Sequence, residues 1–199
     1  MTTRDRILQA TLDLLESGPS DPKRGARVRM TDIAQAAGIS RQALYLHFAT
    51  RAELLIAATH YLDEIKGSDD RLAPSRAAAS GLERLDAYIE AWGAYIPEVY
   101  GIAKAFLAMS DSDEAADTAW RQRMQDMREG CEAAIEDLDR DGMLALAFTR
   151  EQATDLLWTM LSVRSWENLT VECGWSQSDY IRSLKHAARR IFVNERGLR

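Results

Sequence analysis

Met30-Thr-Asp-Ile-Ala-Gln-Ala-Ala-Gly-Ile-Ser-Arg-Gln-Ala-Leu-Tyr-Leu-His-Phe48 reads as two short helices joined by a tight turn. Apolar residues at helical spacing predict helices over 31–37 and 41–48, with Gly38-Ile39-Ser40 between them. Gly38 suits a sharp reversal at positive φ, and Thr31 and Ser40 are placed to cap the two helices. Ile33, Ala37, Ile39 and Leu44 point inward and hold the pair together. Ala34 is small enough for the second helix to cross close above it. Two helices with this junction form a helix-turn-helix. The outer face of the second helix carries Arg41, Gln42 and Tyr45, and a single helix fits the major groove of B-DNA.

Upstream, Ile7, Leu8, Leu12, Leu14 and Leu15 give one apolar face to a helix over 3–17, which Gly18-Pro19-Ser20-Asp21-Pro22 stops. A basic loop over 23–29 follows. Downstream, Thr50 with Glu53 forms a capping box that opens a helix over 51–66. The polar stretch 67–76 reads as a linker, so a domain boundary is expected between 1–66 and 67–199. Helical patterns then run over 77–96, 97–110, 112–141, 151–172 and 176–195, with Pro97 in a first turn and Gly142 and Gly174 at helix ends. No segment alternates apolar and polar residues for long. The fold class expected is all-α: an N-terminal three-helix helix-turn-helix domain and a larger helical domain.

Thr31-Asp-Ile-Ala, Ala37-Gly-Ile-Ser, Leu44-Tyr-Leu-His-Phe48 and Arg51-Ala-Glu-Leu-Leu55 stand at offsets that resemble the TetR family of bacterial transcriptional regulators. The resemblance covers residues 3–66; the remainder agrees in helix number and length. It implies that Arg41 and Gln42 read base edges and that Thr31, Ser40, Tyr45 and His47 meet phosphates. Arg51 falls where the family usually has a lysine at the start of the fourth helix, a phosphate contact. Phe48 matches the aromatic residue that plugs the three-helix core. The connection over 18–29 is longer and more basic than the family's turn. It is either a solvated loop or a source of extra contacts from Lys23, Arg27 or Arg29.

All five tryptophans lie beyond residue 76. Tyr88, Trp92 and Tyr95 share one helix face; Trp120, Met124 and Met127 share another, and Trp158 lies further on. These are core residues or the lining of a pocket. In the resembled family this half binds a small molecule, so a small-molecule effector is the partner expected, with a protein partner as the alternative. The pattern over 151–172 is apolar nearly all round, which calls for burial on both sides. The expected homodimer seam uses Val163 and Trp166 from it, and Ile181, Leu184, Ala188 and Ile191 from the last helix. Twofold symmetry then predicts a palindromic double-stranded operator. Arg164, within the apolar pattern, is read either as pairing across that seam or as anchoring an acidic ligand.

The 199 residues carry a net charge of −6, yet residues 1–60 hold eight basic and six acidic side chains, a balance of +2, leaving −8 elsewhere. Phosphate contacts need local positive charge only. No apolar run approaches the length of a bilayer span. Two cysteines form no disulfide framework, and a cytoplasmic location is expected. The acidic run 137–142 lacks the twelfth-position glutamate of a calcium loop, where Phe148 stands instead. His47, His60 and His186 have no metal-ligand spacing, and no phosphate loop, dinucleotide glycine pattern or nucleophile elbow is present. The sequence therefore gives no metal, no cofactor and no enzyme.

Overall fold

The structure, a computed structural model, describes residues 1–17 and 28–194. Most of the basic loop therefore lies outside the described residues. Helices α1 (Thr3–Ser17), α2 (Met30–Ala36), α3 (Arg41–His47) and α4 (Arg51–Ile65) are followed by α5 (Ser68–Arg76), α6 (Gly81–Met109) and α7 (Glu114–Arg140). Then come α8 (Arg150–Met160), α9 (Val163–Glu167), a π-helical turn (Asn168–Glu172) and α10 (Gln177–Phe192). A single antiparallel bridge, Leu144 to Val193, is the one strand-like pairing among the described residues.

The chain divides into two compact units. The first takes Met1–Gly67 together with Val99–Met124, and the second takes Ser68–Glu98 together with the residues from Gln125 onward. In the first unit Ile7, Leu15, Ile33, Leu44, Phe48, Leu54 and Leu55 are fully buried. Phe48 ends α3 in this core, with the Arg4 guanidinium 4.4 Å above its ring. Phe106 of α6 stacks on Trp120 of α7, with ring centroids 6.2 Å apart. Arg123 of α7 reaches Asp63 of α4 at 3.0 Å.

In the second unit three expectations are corrected, two of them by contacts remote in sequence. The stretch expected as a linker is helical: Asp69 and Asp70 sit in its first turn and Arg76 in its last, which complements the helix dipole, and Arg76 also pairs with Asp69. The two helices expected to meet at Pro97 are one, α6, with Pro97 inside it. A proline there leaves the carbonyl four residues earlier without its donor. That carbonyl is Gly93 O, and it accepts from Gln177 Nε2 at 2.7 Å. Gln177 Oε1 in turn accepts from the Trp166 indole at 2.8 Å. The missing side chain at Gly93 also makes room for Ile181, which a Cβ would meet at 2.9 Å.

The helix expected over 151–172 breaks after Leu161. Ser162 caps α9 by accepting from Ser165 N at 3.1 Å. Two carbonyls near the break are satisfied by side chains: Leu161 O takes the Trp92 indole at 2.9 Å, and Thr159 O takes Ser165 Oγ at 2.9 Å. The acidic run at the end of α7 ties down α6. Arg84 donates to Asp137 at 2.6 Å and, with help from Arg140, holds that carboxyl below the ordinary range. Asp141 accepts from Gly81 N at 2.6 Å.

Candidate DNA interface

The interface is built on α2, α3 and the start of α4, all within the first unit. Gly38 takes φ +67 and closes α2, with Ile39 N bonded back to Ala34 O at 3.0 Å. Ser40 caps α3, its hydroxyl accepting from Ala43 N at 3.0 Å. Thr31 is not the cap of α2, which starts at Met30. That end is closed by Asp32, whose carboxylate accepts from Arg29 N at 3.4 Å, and Thr31 sits exposed in the first turn. Thr50 caps α4 through Glu53 N at 3.1 Å.

With both ends of α3 fixed, its two sides separate. Leu44 is fully buried, while Arg41, Gln42, Tyr45 and Leu46 are exposed and His47 is half-buried. The Arg41 guanidinium lies 5.5 Å from the centre of the Tyr45 ring, and the two side chains run along the helix together. Leu46 is 86% exposed, an apolar group on the outer face that the motif reading passed over. This is a row of one cation, one amide, one phenol and one alkyl group. Such a set can donate to and accept from base edges and touch a thymine methyl.

Arg51 is placed differently from the rest. Its side chain is turned inward: Nε donates to Val28 O at 2.6 Å and Nη1 to Asp113 Oδ1 at 2.5 Å. Asp113 is 4% exposed and stands just before α7, where the same oxygen accepts from Ala116 N at 3.3 Å. Nothing in the sequence paired residues 51 and 113, which lie 62 positions apart.

The residues expected to line an effector pocket are distributed over both units. Trp120 and Met124 belong to the first; Tyr88, Trp92, Tyr95, Met127 and Trp158 belong to the second. Within the second, Tyr88 and Trp92 spend their polar groups on backbone carbonyls, Tyr88 donating to Met127 O at 2.8 Å and Trp92 to Leu161 O. Trp92 and Tyr95 are 5.8 Å apart, ring to ring, so together these side chains offer apolar faces. The Tyr180 hydroxyl is buried with no hydrogen-bond partner, and its burial raises the pKa of the phenol. Cys131 is buried beside Tyr88, and burial pushes its thiol up to about 12.

The residues expected at the dimer seam are largely covered by their own chain. Val163, Trp166, Ile181, Leu184 and Ala188 are buried within the single chain, and Ile191 is half-buried. Arg164 is exposed, and α10 shows Arg182, His186, Arg189 and Arg190 outward.

Fold and interface together define a helix-turn-helix protein of the DNA-binding regulator class. Residues 23–58 match the family model described as "Bacterial regulatory proteins, tetR family". The HTH-type transcriptional regulator CymR of Pseudomonas putida is 26% identical over 179 residues, covering 89% of this chain and 82% of that protein. A TetR-family transcriptional regulator from Rhodococcus sp. superposes with a TM-score of 0.71 at 23% identity, over 95% of this chain and 97% of that one. FadR from Bacillus subtilis, solved in complex with stearoyl-CoA, does so with a TM-score of 0.70 at 13% identity, over 92% and 96%. Residues 23–58 thus carry the DNA-binding domain of the tetR family, and the whole chain has the fold of the regulators it superposes on.

Proposed function

We propose that the chain is an effector-released repressor that binds a palindromic operator as a homodimer. The observation that carries the DNA half of this reading is the outer face of α3, with Arg41, Gln42, Tyr45 and Leu46 held outward by Ser40 at one end and buried Phe48 at the other. Arg41 can donate to guanine O6 and N7, and Gln42 can donate to adenine N7 while accepting from its N6 amine. Thr31, Ser40, Tyr45 and His47 are proposed as phosphate contacts, and two copies of α3 read two half-sites about one helical turn, or a multiple, apart.

The effector half is supported by the second unit. Tyr88, Trp92, Tyr95 and Met127 are buried there, and Tyr88 and Trp92 have their polar groups already used. Trp158 of the same unit is kept as a further lining candidate. Tyr180 brings one buried hydroxyl without a partner. A largely apolar molecule with one hydrogen-bond acceptor suits that combination. The likeness to a regulator solved with stearoyl-CoA is compatible with a lipophilic effector. The helices α6 and α7 supply residues to both units. An effector that favours one packing of them shifts the population of states in which α4 and the recognition helices are spaced for DNA, and coupling of a few kcal/mol is enough. The homodimer seam is proposed on the outward sides of α8 and α10, with half-buried Ile191 at its margin.

A thermal-shift screen with lipophilic and acidic compounds tests this. Compounds that raise the melting temperature should also weaken duplex binding, and Tyr180→Phe should reduce the shift they cause. Stabilising compounds that leave duplex binding unchanged would remove the effector reading in favour of a protein partner.

A further inference from the structure

We propose that Asp113 is an internal substitute for an operator phosphate, and that Arg51 leaves it for the DNA backbone when the operator binds. The inference rests on the DNA-binding reading above. Arg51 is the first residue of α4, directly after the recognition helix and its capping turn. A helix N-terminus draws anions to that point, and an arginine there adds a mobile charge. In the structure that charge is drawn inward. Its side chain is 14% exposed and that of Asp113 is 3% exposed.

The pairing is incomplete on the arginine's side. A guanidinium fits a carboxylate or a phosphate with two parallel hydrogen bonds. Arg51 makes one to Asp113 through Nη1, while Nη2 is buried with no hydrogen-bond acceptor. A phosphate met outside would engage both terminal nitrogens. Asp113 is equipped to be left behind, because its Oδ1 also accepts from Ala116 N as the cap of α7. The carboxylate thus has a structural role that persists after the arginine departs. Its negative charge meanwhile competes with DNA for Arg51, which lowers operator affinity by the cost of breaking the pair.

The test uses the full chain and a mixed-sequence duplex about three helical turns long, with binding followed across a salt series. Asp113→Asn keeps an oxygen for the α7 cap and removes the competing charge. It should tighten binding on the order of tenfold, within the usual span of coupling between linked contacts. Arg51→Gln should make the salt dependence shallower by about 0.9 in the log–log slope per protomer, the signature of one lost phosphate contact. In Arg51→Gln the further change Asp113→Asn should add nothing. The exchange is overturned if Asp113→Asn weakens binding or leaves it unchanged, if Arg51→Gln leaves the slope unchanged, or if the gain from Asp113→Asn survives without Arg51. The last result would mark a general effect of net charge. The slope of Arg51→Gln decides the matter even if Asp113→Asn does not fold. A wild-type chain that binds no duplex overturns the DNA-binding reading and this inference with it.

Discussion

Arg41 lies along α3 against Tyr45, so its side chain is held in an extended row before any base is met. Preordering of this kind lowers the entropy lost on binding. Arg41→Ala is expected to weaken specific binding by about 1–3 kcal/mol and to relax base choice at one position per half-site, which competition binding with single-base variants reads directly. Tyr180 presents the opposite case, a polar group with nothing to bond. Burying an unpaired hydroxyl costs about 1–3 kcal/mol. Tyr180→Phe should therefore leave the effector-free protein as stable as the wild type, or up to about that much more stable, by denaturant unfolding. A marked loss of stability would show that the hydroxyl has a partner.

Among the elements, the join between α6, α9 and α10 is the most demanding. Gln177 supplies the donor that Pro97 lacks and accepts from the Trp166 indole with its other end. Gln177→Ala removes the hydrogen-bond partner of the Gly93 carbonyl and of the Trp166 indole and is expected to cost about 2–4 kcal/mol by thermal or chemical denaturation. Leu184 is buried on α10 inside its own unit. Leu184→Asp should therefore lose more than about 3 kcal/mol of folding stability instead of giving a folded monomer. A well-folded monomeric variant would instead place Leu184 at the subunit seam. These elements also mark where sequence reading succeeds and fails. The ends of α1 and α4, the Gly38 turn, the Ser40 cap and buried Phe48 depend on neighbours a few residues away, and their local pattern is sufficient. The uninterrupted α6 depends on Gln177, 80 positions from Pro97, and the break after Leu161 on Trp92. The inward turn of Arg51 depends on Asp113. Periodicity carries no information about partners that distant, and it does not distinguish a face buried by its own chain from one buried by a second copy.

For the whole molecule, the described residues form two units, with α6 and α7 common to both. The exposed face of α3 and the Arg51–Asp113 pair lie in the first; Tyr88, Trp92, Tyr95, Met127 and Tyr180 lie in the second. A protein that reads a palindrome must present two copies of α3. Sedimentation of the full chain should give about twice the 22.4 kDa mass of one chain. Monomeric mass at the concentrations that bind DNA would remove the twofold model. Base reading by the outer face of α3 is put to the test by selecting duplexes from a random pool with wild type and with Arg41→Ala. Wild type should recover a twofold-symmetric sequence, and the variant should lose the preference at one position in each half. Recovery of no common sequence by wild type, or of the same sequence at full strength by the variant, would contradict it.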